Sequence, residues 1–274
     1  VGLTPTRVCT TAPGPRAITI VATSTINGGV QDSVAATLTV LSYGDPSVSV
    51  TAVDDDVEPS ETGSYDLTAT NGGNAVDTMS LSFTGVDFGT AYRAIPTAIP
   101  GAWVSFAPPA PSASACGSAP SVLTITVPPD WAAMEDATYQ FVVEVTSAID
   151  GASGTDTGQL IVRATPLSRM YYVRAECAAL NATVAALPPS DVRDGLLDKS
   201  MAACAKFDEA MARYVAGDDP PASNLFRTVQ NILAAFGNQL DAQRGKGLTE
   251  AQWLDLSTRA TQIVADVDAI LAVI

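Results

Sequence analysis

The hydrophobic pattern changes period once along this chain. Up to about residue 164, apolar and polar positions alternate in short runs: Met79, Leu81 and Phe83 stand between Thr78, Ser80 and Ser82, and Val122, Leu123, Ile125 and Val127 form a second run. Period two with Ser and Thr on the opposite face indicates half-buried antiparallel strands. Strands are predicted near 48–53, 63–70, 77–84, 102–106, 121–127, 137–147 and 157–163, a spacing suited to a seven-stranded sandwich. After Thr165-Pro166 the period becomes 3.6. Apolar faces run through Val173, Cys177, Leu180, Val184 and Leu187, then Leu197, Met201, Cys204, Phe207, Met211 and Tyr214. A third face runs through Leu225, Val229, Ile232, Phe236 and Leu240, and a fourth through Leu256, Ile263, Val267, Ile270 and Leu271. Pro188-Pro189-Ser190, the segment Gly217 to Pro221, and Gly245-Lys246-Gly247 interrupt them, and Thr249 with Gln252 makes a capping-box pattern. The expected fold class is therefore multidomain, all-β plus all-α: immunoglobulin-like β-sandwiches followed by an antiparallel four-helix bundle.

Part of the β pattern occurs twice. Ile20 to Gly28 (IVATSTING) aligns with Val143 to Gly151 (VEVTSAIDG), 123 residues further on, and a further strand follows each, at 34–41 and 157–163. Residues 1–43 thus hold the last strands of a sandwich, too few to bury a core alone. The expected organisation is a truncated sandwich repeat over 1–43, a complete sandwich over 46–164 and a helical bundle over 166–274. Either the chain is cut from a longer repeat array, or its first unit is completed by a strand from a partner, as in donor-strand assembly.

Two resemblances follow from short motifs. Glu135 to Phe141 (EDATYQF) resembles the tyrosine corner of immunoglobulin-like domains, in which a Tyr hydroxyl ties back to backbone. With Asn71-Gly72-Gly73 as a loop and Pro46-Ser-Val-Ser-Val opening the first strand, residues 46–164 resemble the adhesion-type repeats of bacterial and archaeal surface proteins. In the helical half, Gly195 to Lys199 (GLLDK), Ala203 to Ala210 (ACAKFDEA), Gly217, Asn231 to Phe236 (NILAAF) and Gly247 to Gln252 (GLTEAQ) resemble the FIMAH-type helical domain. That resemblance implies an accessory or adhesion-associated role in a large secreted protein.

Charge narrows the partners. Lys plus Arg number 14 against 29 Asp plus Glu, a net charge of −15, which argues against nucleic acid and anionic membrane surfaces. All three lysines, Lys199, Lys206 and Lys246, lie in the helical part. No apolar run approaches the roughly 20 residues needed to insert in a bilayer. The four cysteines lack the close spacings of a zinc site. They suggest two disulfides, Cys177 with Cys204 across the Pro188-Pro189 turn and Cys9 with Cys116, against the alternative of buried free thiols.

The absence of histidine removes Ser-His-Asp and Cys-His catalysis and the usual catalytic metal sites. No catalytic residue is assigned, and no enzymatic activity is expected. The best candidate site is acidic: Asp54, Asp55 and Asp56, in a loop between the first two strands, together with Asp130 and Asp136 at the same end. Consecutive carboxylates repel unless a cation screens them, so Ca²⁺ is the candidate cofactor, against a solvated acidic loop. Trp103, Trp131 and Trp253 are read as packing residues rather than sugar-stacking platforms, and the sequon at Asn181 falls on a helix.

The functional expectation is a non-enzymatic module of a secreted or cell-surface protein, serving adhesion, spacing or extracellular assembly. Its partners would be a protein or glycan at a cell surface, or copies of itself. The alternatives are an accessory region of a larger secreted hydrolase and a structural subunit of an extracellular filament.

Overall fold

The computed structural model describes residues 8–86, 94–95 and 98–274. Residues 1–7 of the expected truncated repeat lie outside the described residues. The chain opens with an antiparallel hairpin, β1 (Gly14–Thr23) and β2 (Gln31–Val40). There follow β3 (Pro46–Asp54), β4 (Asp56–Val57), β5 (Thr62–Asn71), β6 (Asp77–Val86), β7 (Ala94–Ile95), β8 (Val104–Ala107) and β9 (Ser112–Ala113). The β part ends with β10 (Ser118–Thr126), β11 (Ala132–Ala133), β12 (Ala137–Ser147) and β13 (Ser153–Val162).

The longer strands form two facing sheets, β3-β5-β10-β8 and β4-β13-β12-β6-β9. Numbered by the seven main strands, one sheet runs first, second, fifth, fourth and the other seventh, sixth, third, which is immunoglobulin-like topology. Alternation fills the space between the sheets. Tyr65, Leu67 and Ala69 of β5 meet Tyr139, Phe141, Val143 and Val145 of β12, and all are 0–1% exposed. The Tyr65 ring stands edge-on to Phe141 with centroids 5.0 Å apart.

The first main strand changes sheets. After pairing with β5 it shifts register between Ala52 and Asp54, and beyond Asp55 the residues Asp56 and Val57 join the other sheet as β4, parallel to β13. Ile161 N donates to Asp55 O at 2.7 Å, and Arg163 N donates to Val57 O at 2.8 Å. Asp54-Asp55-Asp56 is therefore the sheet-switching point rather than a loop. At the expected tyrosine corner the Tyr139 hydroxyl accepts from Trp131 Nε1 at 2.9 Å, and Tyr65 ties to backbone, donating to Gln159 O at 2.6 Å.

The four helices are α1 (Pro166–Ala185), α2 (Asp191–Val215), α3 (Asp219–Gln243) and α4 (Glu250–Leu271). Thr165, Ser190 and Thr249 cap the first, second and fourth, and the capping box at Thr249 and Gln252 is complete. The buried face of α2 overlaps the predicted one: Phe207 and Met211 are buried as expected, Leu197, Cys204 and Tyr214 pack at its edge, Leu196, Ser200, Ala203 and Ala210 complete it, and Met201 is 55% exposed. Ser200, which satisfies its hydroxyl on Leu197 O, and the two alanines share this core with Phe226 and Phe236 of α3.

The hairpin joins the sandwich through a close backbone crossing. Residues 43–45 pass over the Asn71 to Asn74 loop, where Gly72 N donates to Asp45 O at 2.8 Å and Tyr43 N donates to Asn74 Oδ1 at 3.0 Å. A Cβ on Gly73 would stand 2.3 Å from Tyr43 O, a distance that real Cβ contacts do not reach. Replacing Gly73 by Ala is expected to cost about 1–3 kcal/mol. Gly28→Ala, at a position with nothing within 4 Å, is the control and should leave the thermal midpoint unchanged.

Candidate functional site

The hairpin β1–β2 is a second copy of the end of the sandwich. In β1–β2, Ile26 N donates to Ser24 Oγ and Gly29 N to Asn27 Oδ1. In β12–β13, Ile149 N donates to Ser147 Oγ and Ala152 N to Asp150 Oδ1, the same bonds at the aligned positions. The strands pair in a similar way, Leu38 and Val40 opposite Arg16 and Gly14 as Leu160 and Val162 are opposite Tyr139 and Ala137, although residues 24–30 join β1 to β2 and the shorter 148–152 joins β12 to β13.

What differs is what lies over each hairpin. In the sandwich, β12 pairs on its far edge with β6, and Phe141, Val143, Leu160 and Val162 are sealed under the other sheet. Among the described residues β1 and β2 pair only with each other. Ile18, Ile20, Val34, Ala36, Leu38 and Val40 share one face, and Ile20 is 52%, Val34 59% and Leu38 45% exposed. A two-stranded sheet is marginal in water, and burying one such side chain is worth about 1.5–3 kcal/mol.

The base of this hairpin is held at several points. Cys9, just before β1, forms a disulfide with Cys116 in the turn ahead of β10, with Cα atoms 5.3 Å apart. After β2, Leu41 O accepts from Asn74 Nδ2 at 3.0 Å and Gly44 N donates to Asp150 Oδ2 at 2.9 Å. Asn71, fully buried, organises the loop below: its Nδ2 donates to Ala75 O, Ala113 O and Ser114 O, and its Oδ1 accepts from Gly73 N. Position is thus set by covalent and polar contacts, while the apolar face stays open.

The acidic residues gather differently from the expectation. Asp56 and Asp136 come together around Arg163, whose Nη2 lies 2.5 Å from Asp56 Oδ2 and whose Nη1 lies 2.7 Å from Asp136 Oδ2. The guanidinium thus places a positive charge between Asp56 and Asp136. Asp54 ends β3, Asp55 contributes its backbone to β13, and Asp130 lies just before β11; among the described residues no group of three or more His, Cys, Asp or Glu side chains could hold a metal ion. Asp136 also accepts from Ala164 N at 2.8 Å, at the entry to α1, and Met134 packs into the helical core. These contacts join sandwich to bundle.

Trp131 is buried in the sandwich core, and Trp103 packs against it. Trp253 donates from Nε1 to Asp241 at 2.8 Å and has the Arg244 guanidinium over its ring, 3.8 Å from the centroid. Cys177 and Cys204, the expected bridge between the first two helices, are free thiols, the first buried and the second partly buried.

No protein-family model matches the chain, and no curated protein matches it in sequence. Among solved structures, a PapD-like domain of human CEP192 matches at 17% identity over 42% of this chain and 84% of its own, with a TM-score of 0.27. SSP-19, an MSP-domain protein of Caenorhabditis elegans, matches at 20% identity over 42% and 99%, with a TM-score of 0.25. Domains 4 and 5 of the S-layer protein SbsC match at 14% identity over 48% and 58%, also with a TM-score of 0.25.

Arg163 gives the junction a pH signature. Its hydrogen bonds hold the Asp56 carboxyl below the usual range; for Asp136 the backbone amide of Ala164 contributes most, then Arg163. Groups with lowered folded values stabilise above the unfolded carboxylate value of about 4 and lose that contribution as pH falls through their folded values. Arg163→Ala should therefore lower the urea midpoint at pH 7 and narrow its gap to wild type by pH 2. Parallel pH curves for the two proteins would contradict the assignment. Because the pair is exposed, high salt should shrink the pH 7 difference.

Proposed function

We infer that this chain is a non-enzymatic assembly module of a secreted or cell-surface protein, in which the hairpin β1–β2 completes a second sandwich with strands from outside residues 1–274 of one molecule. The observation that carries the reading is the exposed apolar face of Ile20, Val34 and Leu38, on a hairpin whose Ser and Asn turn bonds and strand pairing resemble those of the covered β12–β13. The partner is a β-structured segment with an open sheet edge and an apolar inner face, recognised by main-chain pairing along β1 and by side-chain burial. Such a segment can belong to the same polypeptide or to another copy, and the second case gives the filament reading its support.

Three further features favour this role. The disulfide Cys9–Cys116 fits an oxidising extracellular compartment. The junction at Arg163 and Met134 couples the sandwich to the bundle, as a spacer under load requires. The FIMAH-like motifs of the helical half point the same way, toward an adhesion-associated region.

The reading is tested by association. With its covering strands absent, the purified chain should self-associate as its concentration rises, in sedimentation velocity. The Ile20→Asp, Val34→Asp variant should stay monomeric with an unchanged thermal midpoint for the sandwich and bundle. A wild-type chain that remains monomeric up to millimolar concentration, or a variant that associates equally, would overturn it.

A further inference from the structure

The outer edge of β1 lacks the devices by which folded proteins keep an exposed strand from pairing with another chain. Such edges are blunted by charged side chains, by proline or by a bulge. β1 pairs with β2 over ten consecutive positions without a bulge, and after Arg16 it carries neither a charge nor a proline up to Thr23. Among the described residues no strand pairs with this edge.

The hairpin's hydrogen bonds fix which main-chain groups the edge presents. Ser24 N donates to Val30 O at 2.9 Å, on the β2 side. Main-chain groups of an antiparallel strand alternate between its two sides, so those of Ala22, Ile20 and Ile18 also face β2. The amides and carbonyls of Ala17, Thr19, Val21 and Thr23 therefore point outward. β12 has the same phase, because Ser147 N donates to Ala152 O at 2.8 Å. There the outward groups are taken up by β6, antiparallel, from Gln140 opposite Val86 to Ser147 opposite Met79. The aligned run on β1 is Ala17 to Ser24.

Resting on the assembly reading above, we propose that this edge pairs with β1 of a second copy of the chain, antiparallel and centred on Ile20. In that register Ile20 stands opposite Ile20 of the other copy, Ile18 opposite Ala22, Thr19 opposite Val21 and Ala17 opposite Thr23. It is the register that places all four outward-facing residues of each strand in hydrogen-bonded pairs, and a shift by two residues leaves some of them without a partner or against Pro15.

The twofold axis of such a pair is perpendicular to the sheet, so the apolar side chains of both copies fall on one face of four strands in the order β2, β1, β1, β2. Arg16 lies opposite Ser24. The two Arg16 residues stand about 27 Å apart, well beyond the screening length of about 8 Å at physiological salt, so no like charges meet. A marginal two-stranded ribbon becomes a four-stranded sheet with one apolar face, and its two inner edges are removed. The contact is isologous and closes at two copies.

Proline substitution tests the pairing, because an edge strand tolerates proline where the lost amide faces solvent. Val21→Pro deletes an outward amide and leaves Ile18, Ile20, Val34 and Leu38 in place. Sedimentation velocity over one concentration series should show wild type in monomer–dimer equilibrium and Val21→Pro associating about tenfold more weakly or not at all, since two pairing bonds are lost per dimer. The thermal midpoint should be unchanged. In the wild-type chain, residue-resolved hydrogen exchange should slow at the amides of Ala17, Thr19, Val21 and Thr23 as the dimer forms. Undiminished association of Val21→Pro, or unchanged exchange at those four amides in the associated wild type, overturns the pairing but not the assembly reading, because association then comes from the apolar face. A wild-type chain that stays monomeric overturns both.

Discussion

The placement of the N-terminal hairpin depends on a backbone crossing that only glycine allows. Residues 43–45 lie so close to Gly72 and Gly73 that a side chain at either position would meet Asp45 or Tyr43 main-chain atoms. The flanking asparagines convert this proximity into hydrogen bonds, Asn71 within its own loop and Asn74 to Leu41 and Tyr43. With the Cys9–Cys116 bond on the other side, both ends of the hairpin are fixed to the sandwich. A two-stranded ribbon with an apolar face would otherwise gain little from staying extended in water. Here its geometry is imposed from the base, which leaves the face presented rather than collapsed.

A second constraint acts at the opposite side of the sandwich, where the chain enters the bundle. Arg163 follows β13 and gathers carboxylates from the sheet-switching strand and from the segment before β12. Asp136 continues the network to Ala164, and Thr165 caps α1 two residues after Arg163. Met134 adds apolar contact from the sandwich to the helical core. Exposed ion pairs contribute little each. Their value here lies in orientation, since the same few residues terminate the last strand and start the first helix.

Much of this was legible in the amino-acid pattern, and the misreadings have specific physical causes. Alternation located the main strands because one face of each is sealed, as in Met79, Leu123 and Phe141. The face of α2 was read in part, through Phe207 and Met211, because its contact surface also uses Ser200, Ala203 and Ala210, which hydrophobic periodicity undercounts. Asp54 to Asp56 read as a loop because acidic residues are poor strand formers, yet their backbone serves both sheets and Arg163 neutralises Asp56. No local signal places Arg163 beside Asp56, since the two are 107 positions apart. The repeat of Ser24 and Asn27 at Ser147 and Asp150 was visible, whereas the openness of the first hairpin emerges only when its contacts are compared with those of the second.

The central claim is that β1–β2 is a sandwich hairpin without its cover. Amide hydrogen exchange at a concentration where the chain is monomeric tests it most directly, because each strand residue has a counterpart in β12–β13. The account predicts that the cross-strand amides around Ile20 and Val34 exchange orders of magnitude faster than those around Val143 and Asp156, despite similar strand pairing. Equal protection of the two hairpins in the monomer would show that the first is already stabilised by its own chain, and would contradict the account.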